Sequence, residues 1–136
     1  MFRLISASAL VFVCSLAAGC ADDAAPTTPE PPAQITENFA GTINLLGADT
    51  HLFTTAQTGQ ATAIIDSLAP DSAARVTFMF GTWNGSYCTV TFVTDDGTTG
   101  TSFIGNASGP GAFCVRISDI GKLTAPTTYA ITVSHF

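Results

Sequence analysis

The stretch "RVTFMFGTWNGSYCTVTFV" (residues 75–93) decides the fold. Val76, Phe78 and Phe80 recur with a period of two, the repeat of an extended strand that buries one face. Asn84-Gly85 then supplies a turn, because glycine and asparagine tolerate the backbone angles that tight turns require. After the turn the alternation resumes, with Cys88, Val90 and Phe92 expected inward and Thr89 and Thr91 facing water. Half-polar strands of this kind belong to antiparallel sheets with one wet face.

The same pattern extends in both directions. "FCVRI" aligns Phe113, Val115 and Ile117, and "YAITV" aligns Tyr129, Ile131 and Val133. Runs of β-branched and aromatic residues, separated by Gly, Pro, Asp and Asn clusters, predict strands near 39–45, 51–56, 60–68, 74–81, 87–94, 100–104, 112–118 and 127–134. No stretch shows a helical period. The expected class is all-β: a single antiparallel, jelly-roll-like β-sandwich of about eight strands over residues 35–136.

Residues 1–34 have a different character. Arg3 precedes an apolar run from Leu4 to Ala18, shorter than the roughly twenty residues that span a bilayer, as in an export signal. Small residues close the run, and "Ala17-Ala18-Gly19-Cys20" resembles the lipobox of bacterial lipoproteins. That resemblance implies a signal peptide over residues 1–19, cleavage before Cys20, and lipid on its sulfur and new amino group. Several acyl chains anchor firmly, since each buried CH₂ contributes about 0.8 kcal/mol while one chain holds only marginally. An ordinary secretory signal cut at the same place is the alternative. Residue 21 is Ala rather than the Asp that retains such lipoproteins at the inner membrane, which implies an outer-membrane anchor where the host has two membranes.

Residues 20–34 hold four of the seven prolines and no large apolar side chain, so they read as a disordered spacer. At roughly 3.1 Å per residue the spacer reaches about 40 Å. Cleavage removes Arg3 and leaves three cations against ten acids, a mature net charge of −7. A surface this acidic argues against a nucleic-acid partner. Cys14 leaves with the signal and Cys20 carries lipid, so Cys88 and Cys114 remain. A disulfide between them is the leading expectation for an exported domain, with a two-cysteine metal site or a reactive thiol as rivals. Their parities conflict: Cys88 falls in phase with core residues, Cys114 in phase with Arg116. Either the bridge lies at a sheet edge or a bulge shifts one strand.

The C-terminal segment "GPGAFCVRISDIGKLTAPTTYAITVSHF" (109–136) resembles the end of bacterial pre-peptidase C-terminal (PPC-like) domains. Gly111, Phe113, Val115, Arg116 and Ile117 fill that family's first element, and Tyr129, Ile131 and Val133 its second. The resemblance implies a jelly-roll-like sandwich of the kind appended to secreted enzymes, and hence a protease-associated accessory or inhibitor role as one reading.

Residues able to carry chemistry are few. His51 and His135 are the only imidazoles, and neither lies in a nucleophile motif, so both read as packed or capping side chains and no catalysis is expected. In "TDDGTTG" (94–100), Asp95 and Asp96 offer oxygens to a calcium ion, but Asp-Gly between apolar runs is also a strong hairpin signal. Asp119 reads as a turn residue. Trp83 and Tyr87 flank the Asn84-Gly85 turn, where both rings can be exposed; a sugar platform and rings half-packed at a sheet edge both fit. No cofactor is expected. The sequence thus describes a lipid-anchored envelope protein, its domain outside the cytoplasm, that presents a non-catalytic binding or scaffolding module. Its expected partners are the bilayer, through acylated Cys20, and an envelope protein or polysaccharide. Changing Cys20 to Ala is expected to move the protein from the membrane fraction to the soluble fraction; unchanged fractionation with an unmodified N-terminus refutes the anchor.

Overall fold

The computed structural model describes residues 29–136. The expected signal segment, Cys20 and the first part of the spacer lie outside the described residues. Residues 29–34 are exposed and belong to no regular element. Eight strands follow: β1 (Ile35–Ile43), β2 (Ala48–Thr55), β3 (Gly59–Ala69), β4 (Val76–Trp83), β5 (Cys88–Gly97), β6 (Ser102–Ala107), β7 (Gly111–Ser118) and β8 (Thr127–His135). They form two four-stranded antiparallel sheets, β1-β8-β3-β6 and β2-β7-β4-β5, the two-sheet sandwich that the alternation predicts, and no helix occurs among the described residues.

The pairing has one governing rule. β1 pairs with β8, β2 with β7, β3 with β6 and β4 with β5. The first half of the chain therefore lies along the second half as one long antiparallel ribbon. Its closed end is the loop Asn84–Tyr87. Rolling that ribbon brings β3 beside β8 and β4 beside β7, which completes a jelly roll. Between the sheets lie Ile65, Phe78, Val115, Ile117, Ile131 and Val133, each fully buried.

Local chemistry closes the ribbon. Asn84 Oδ1 accepts hydrogen bonds from the N–H groups of Ser86 and Tyr87, each at 3.0 Å, and Gly85 takes φ of 99°, where a side chain would be strained. Beyond the turn, β5 departs from simple alternation. Phe80 faces Phe92 across the ladder but Gly81 faces Val90, so Thr91 is an extra residue in a bulge. The bulge corrects the expectation for this strand. Phe92 points inward and stacks near Phe80 and Phe103, whereas Val90 and Cys88 turn to the outer face. It also resolves the conflict in cysteine parity, because Cys114 pairs beside Gly81 on that same outer face.

Cys88 and Cys114 form a disulfide with Cα atoms 5.8 Å apart. β5 and β7 are separated by β4, and strands two apart ordinarily lie about 9.6 Å from one another. The start of β5 therefore bends over the sheet towards β7, and its backbone crosses Gly81. A Cβ on Gly81 would overlap the Thr89 carbonyl oxygen, so only glycine fits beneath the crossing.

The Asp95–Asp96–Gly97 stretch closes no hairpin, contrary to one reading of the sequence. β5 continues through Gly97, and the chain then passes to β6 in the other sheet by way of Gly100. Ile65 exchanges backbone hydrogen bonds with Thr101 (2.9 Å) and Gly100 (2.7 Å), which directs that crossover along β3 instead of back along β5.

Asp119, expected at a turn, has a larger role. It is buried, and its carboxylate accepts N–H groups from Leu46 (2.9 Å), Gly121 (2.9 Å), Lys122 (2.7 Å) and Leu123 (3.0 Å). Two loops are thereby clasped at one end of the sandwich, holding Leu46 at φ of 57°, a left-handed angle uncommon for leucine. Burial pushes the Asp119 carboxyl up, but the four N–H groups outweigh it and hold the carboxyl below its ordinary value.

Two predictions follow from these contacts. Replacing Cys88 and Cys114 together by Ser is expected to lower stability by about 3.5 kcal/mol, the chain-entropy value for a loop of this separation, read as a fall in the urea midpoint. Asp119→Asn leaves the Leu46 N–H without its carboxylate oxygen and is expected to cost about 1.5–3 kcal/mol near neutral pH. Because the folded-state carboxyl lies below that of an unfolded aspartate, this contribution is fully present above about pH 4 and drains away as pH falls towards the depressed value. Urea melts at descending pH should show wild type and Asp119→Asn converging in acid; a constant gap refutes the clasp.

Candidate functional site

The outer face of sheet β2-β7-β4-β5 carries the side chains that the turn and bulge expose. Odd-numbered Met79, Gly81 and Trp83 of β4 point there, opposite the buried Phe78 and Phe80. Thr50 and Leu52 of β2 and Arg116 of β7 share the face, since Arg116 pairs with Thr50 on one side and Met79 on the other. The large side chains Leu52, Val90, Val93 and Tyr87 are 47–64% exposed here.

Trp83, Tyr87 and Arg116 line one depression of about 390 Å³, floored by Met79 and bounded by Thr50 and Val90. Trp83 is half-buried, paired across the ladder with Cys88, while Tyr87 at the end of the turn keeps 64% of its surface in water. Both rings expected from sequence are thus brought together. Their positions depend on the disulfide, because Cys88 follows Tyr87 directly and fixes where the turn lies over the sheet.

Arg116 was the residue that sequence reasoning did not assign to this site. Its Nη1 donates to Thr50 Oγ1 at 3.0 Å, and among the described residues it meets no carboxylate. The signal was present in the strand parity of "FCVRI", which sets Arg116 on the face opposite the core. What parity could not give was the bulge that carries Trp83's partner strand to that face.

The other candidates have different surroundings. Asp96 Oδ1 accepts from Lys122 Nζ at 2.8 Å and lies 3.4 Å from Arg75, so Lys122 and then Arg75 hold its carboxyl below the ordinary value. Asp95 Oδ1 accepts the Thr77 hydroxyl at 2.9 Å. No three His, Cys, Asp or Glu side chains come together among the described residues, and two cations beside Asp96 oppose a calcium ion there. A further depression near Pro70, Arg75 and Lys122 contains those same paired cations.

The histidines are packed, as their strand positions suggested. Tyr129 Oη donates its one proton to Asp49 Oδ2 at 2.7 Å, so in its 2.7 Å contact with His51 Nε2 the Tyr129 oxygen accepts and the His51 N–H donates. Burial, reinforced by the Asp49 carboxylate, pushes the Tyr129 phenol above its ordinary value, and the hydroxyl keeps its proton. Phe39 stacks on His51 at 4.7 Å, which completes a tie between the two sheets. His135 is buried, with Nε2 bonded to Glu37 at 2.9 Å and Nδ1 without a partner. No serine, threonine or cysteine among the described residues hydrogen-bonds either ring.

No protein-family model matches the chain, and no curated protein matches it.

Proposed function

We propose that the protein is a non-catalytic binding module, held at the cell envelope by acylated Cys20, that takes a saccharide in the Trp83–Tyr87 depression. The observation that carries this reading is the convergence of two aromatic rings and a guanidinium in one solvent-facing hollow. Aromatic rings suit the apolar C–H faces of a pyranose, while neighbouring polar groups orient its hydroxyls. The hollow sits on a rigid sheet pinned by the disulfide, so little ordering is required on binding.

The anchor rests on the lipobox resemblance of residues 17–20, and the Pro-rich spacer gives the domain reach from the outer membrane. The jelly-roll strand order agrees with what the PPC-like resemblance implies. An envelope protein docking on the same face is the second reading, favoured by exposed Leu52 and Val93 beside the hollow.

Thermal unfolding in the presence of a glycan panel tests the saccharide. A ligand that binds only the folded state stabilises it by about 2.7 kcal/mol at a hundredfold excess over its dissociation constant. A raised midpoint with one glycan class, lost in Trp83→Ala, is the expected result. A flat panel for the native protein turns the search to a protein partner.

A further inference from the structure

We propose that the saccharide bound at this site carries a carboxylate, a uronic-acid residue seated on Arg116. The inference rests on the saccharide reading above and adds the charge of the ligand.

The argument begins with where this domain puts its positive charge. Residues 29–136 hold three cations, Arg75, Arg116 and Lys122. Arg75 and Lys122 both pair with Asp96 at one end of the sandwich. Arg116 alone meets no carboxylate among the described residues, although the chain holds ten acids against four Lys and Arg. It is also part-buried on a central strand of the sheet, between Met79 and Thr50, with its unpartnered N–H groups open to the solvent-facing hollow. Only its Nη1 has a partner, the neutral Thr50 hydroxyl, which orients the guanidinium without neutralising it.

A planar guanidinium with free N–H groups matches a carboxylate, which it binds with two parallel hydrogen bonds. Trp83 and Tyr87 in the same hollow supply flat apolar surface. An anion alone would not need the rings, and a neutral sugar would not need the cation. A pyranose bearing a carboxylate uses both. The net negative charge of the protein works against general anion capture, so retention depends on this short-range pair and not on a diffuse field.

The test is binding by calorimetry of the purified protein to oligomers of galacturonate, glucuronate and mannuronate, each beside its carboxyl-reduced, neutral form. The expected result is that at least one acidic oligomer binds about ten- to a hundredfold more tightly than its reduced form. Arg116→Gln should erase that difference, and Arg116→Lys, which keeps the charge but not the planar fork, should restore part of it. Trp83→Ala should weaken acidic and neutral forms together. Unfolding midpoints of the Arg116 variants close to wild type show that the effect lies in binding. Equal affinity for acidic and reduced oligomers, unchanged in Arg116→Gln, overturns the carboxylate assignment and leaves the saccharide reading standing. Binding of none of them, while neutral glycans of other classes still raise the unfolding midpoint through Trp83, overturns the carboxylate alone. Failure of every glycan overturns both.

Discussion

The crossing of β5 over Gly81, locked by the Cys88–Cys114 disulfide, is the constraint on which the rest of the domain depends. A ribbon that pairs each strand of its first half with one of its second half must be closed at a single turn, and here that turn is Asn84–Tyr87. Because the turn is bent over the sheet and fixed to β7, the closed end cannot slide along its partner without breaking a covalent bond. A one-residue slip would exchange the inner and outer faces of every strand downstream. The bulge at Thr91 makes the lock possible, since it turns Cys88 outward while leaving Phe92 in contact with Phe80. Absence of a side chain at residue 81 then admits the Thr89 backbone.

The two open sides of the sandwich are closed by different chemistry. On the β1–β2 side, Tyr129 from one sheet bonds to Asp49 and His51 from the other, so polar groups that would be unpaired between the layers satisfy one another. On the β5–β6 side, rings do the work: Phe78, Phe103, Phe92 and Phe80 follow in succession, with centroids 5.4–6.2 Å apart. At one end of the sandwich the Asp119 carboxylate clasps two loops through four N–H donors. The sheet edge itself is protected, since the two irregularities in β5 interrupt the flat row of backbone groups that would invite pairing with another chain.

Much of this was legible in the sequence because period-two alternation reports burial directly. Val76, Phe78 and Phe80, or Tyr129, Ile131 and Val133, announce which face of a strand is dry, and all eight strands lie where such runs occur. The places where reading failed share a cause. Thr91 carries no mark of a bulge, so the parity of Cys88 and Val90 came out reversed. Asp95-Gly97 has the composition of a hairpin, but the backbone bonds of Ile65 to Thr101 and Gly100 carry the chain to the opposite sheet. Asp119 read as a turn residue because spacing cannot reveal that Leu46, 73 residues away, contributes the fourth donor. Local pattern gives the face of a strand; long-range backbone bonds decide its neighbours.

The same distinction explains why Trp83 and Tyr87 were visible as candidates and Arg116 was not. Aromatic residues around a turn stand out in a sequence, whereas an arginine in phase with outward residues of a half-polar strand is unremarkable by itself. Its meaning comes from its neighbours. Had β5 kept simple alternation, Cys88 would point into the core, the disulfide to outward-facing Cys114 could not form, and the turn would extend away from the sheet. Tyr87 would then lie far from Arg116, which would sit on an open face beside Thr50 with nothing to enclose a ligand. One inserted residue therefore links stability to function here: the bulge that aligns the two sulfurs also folds the aromatic turn over the domain's one cation without an acidic partner among the described residues.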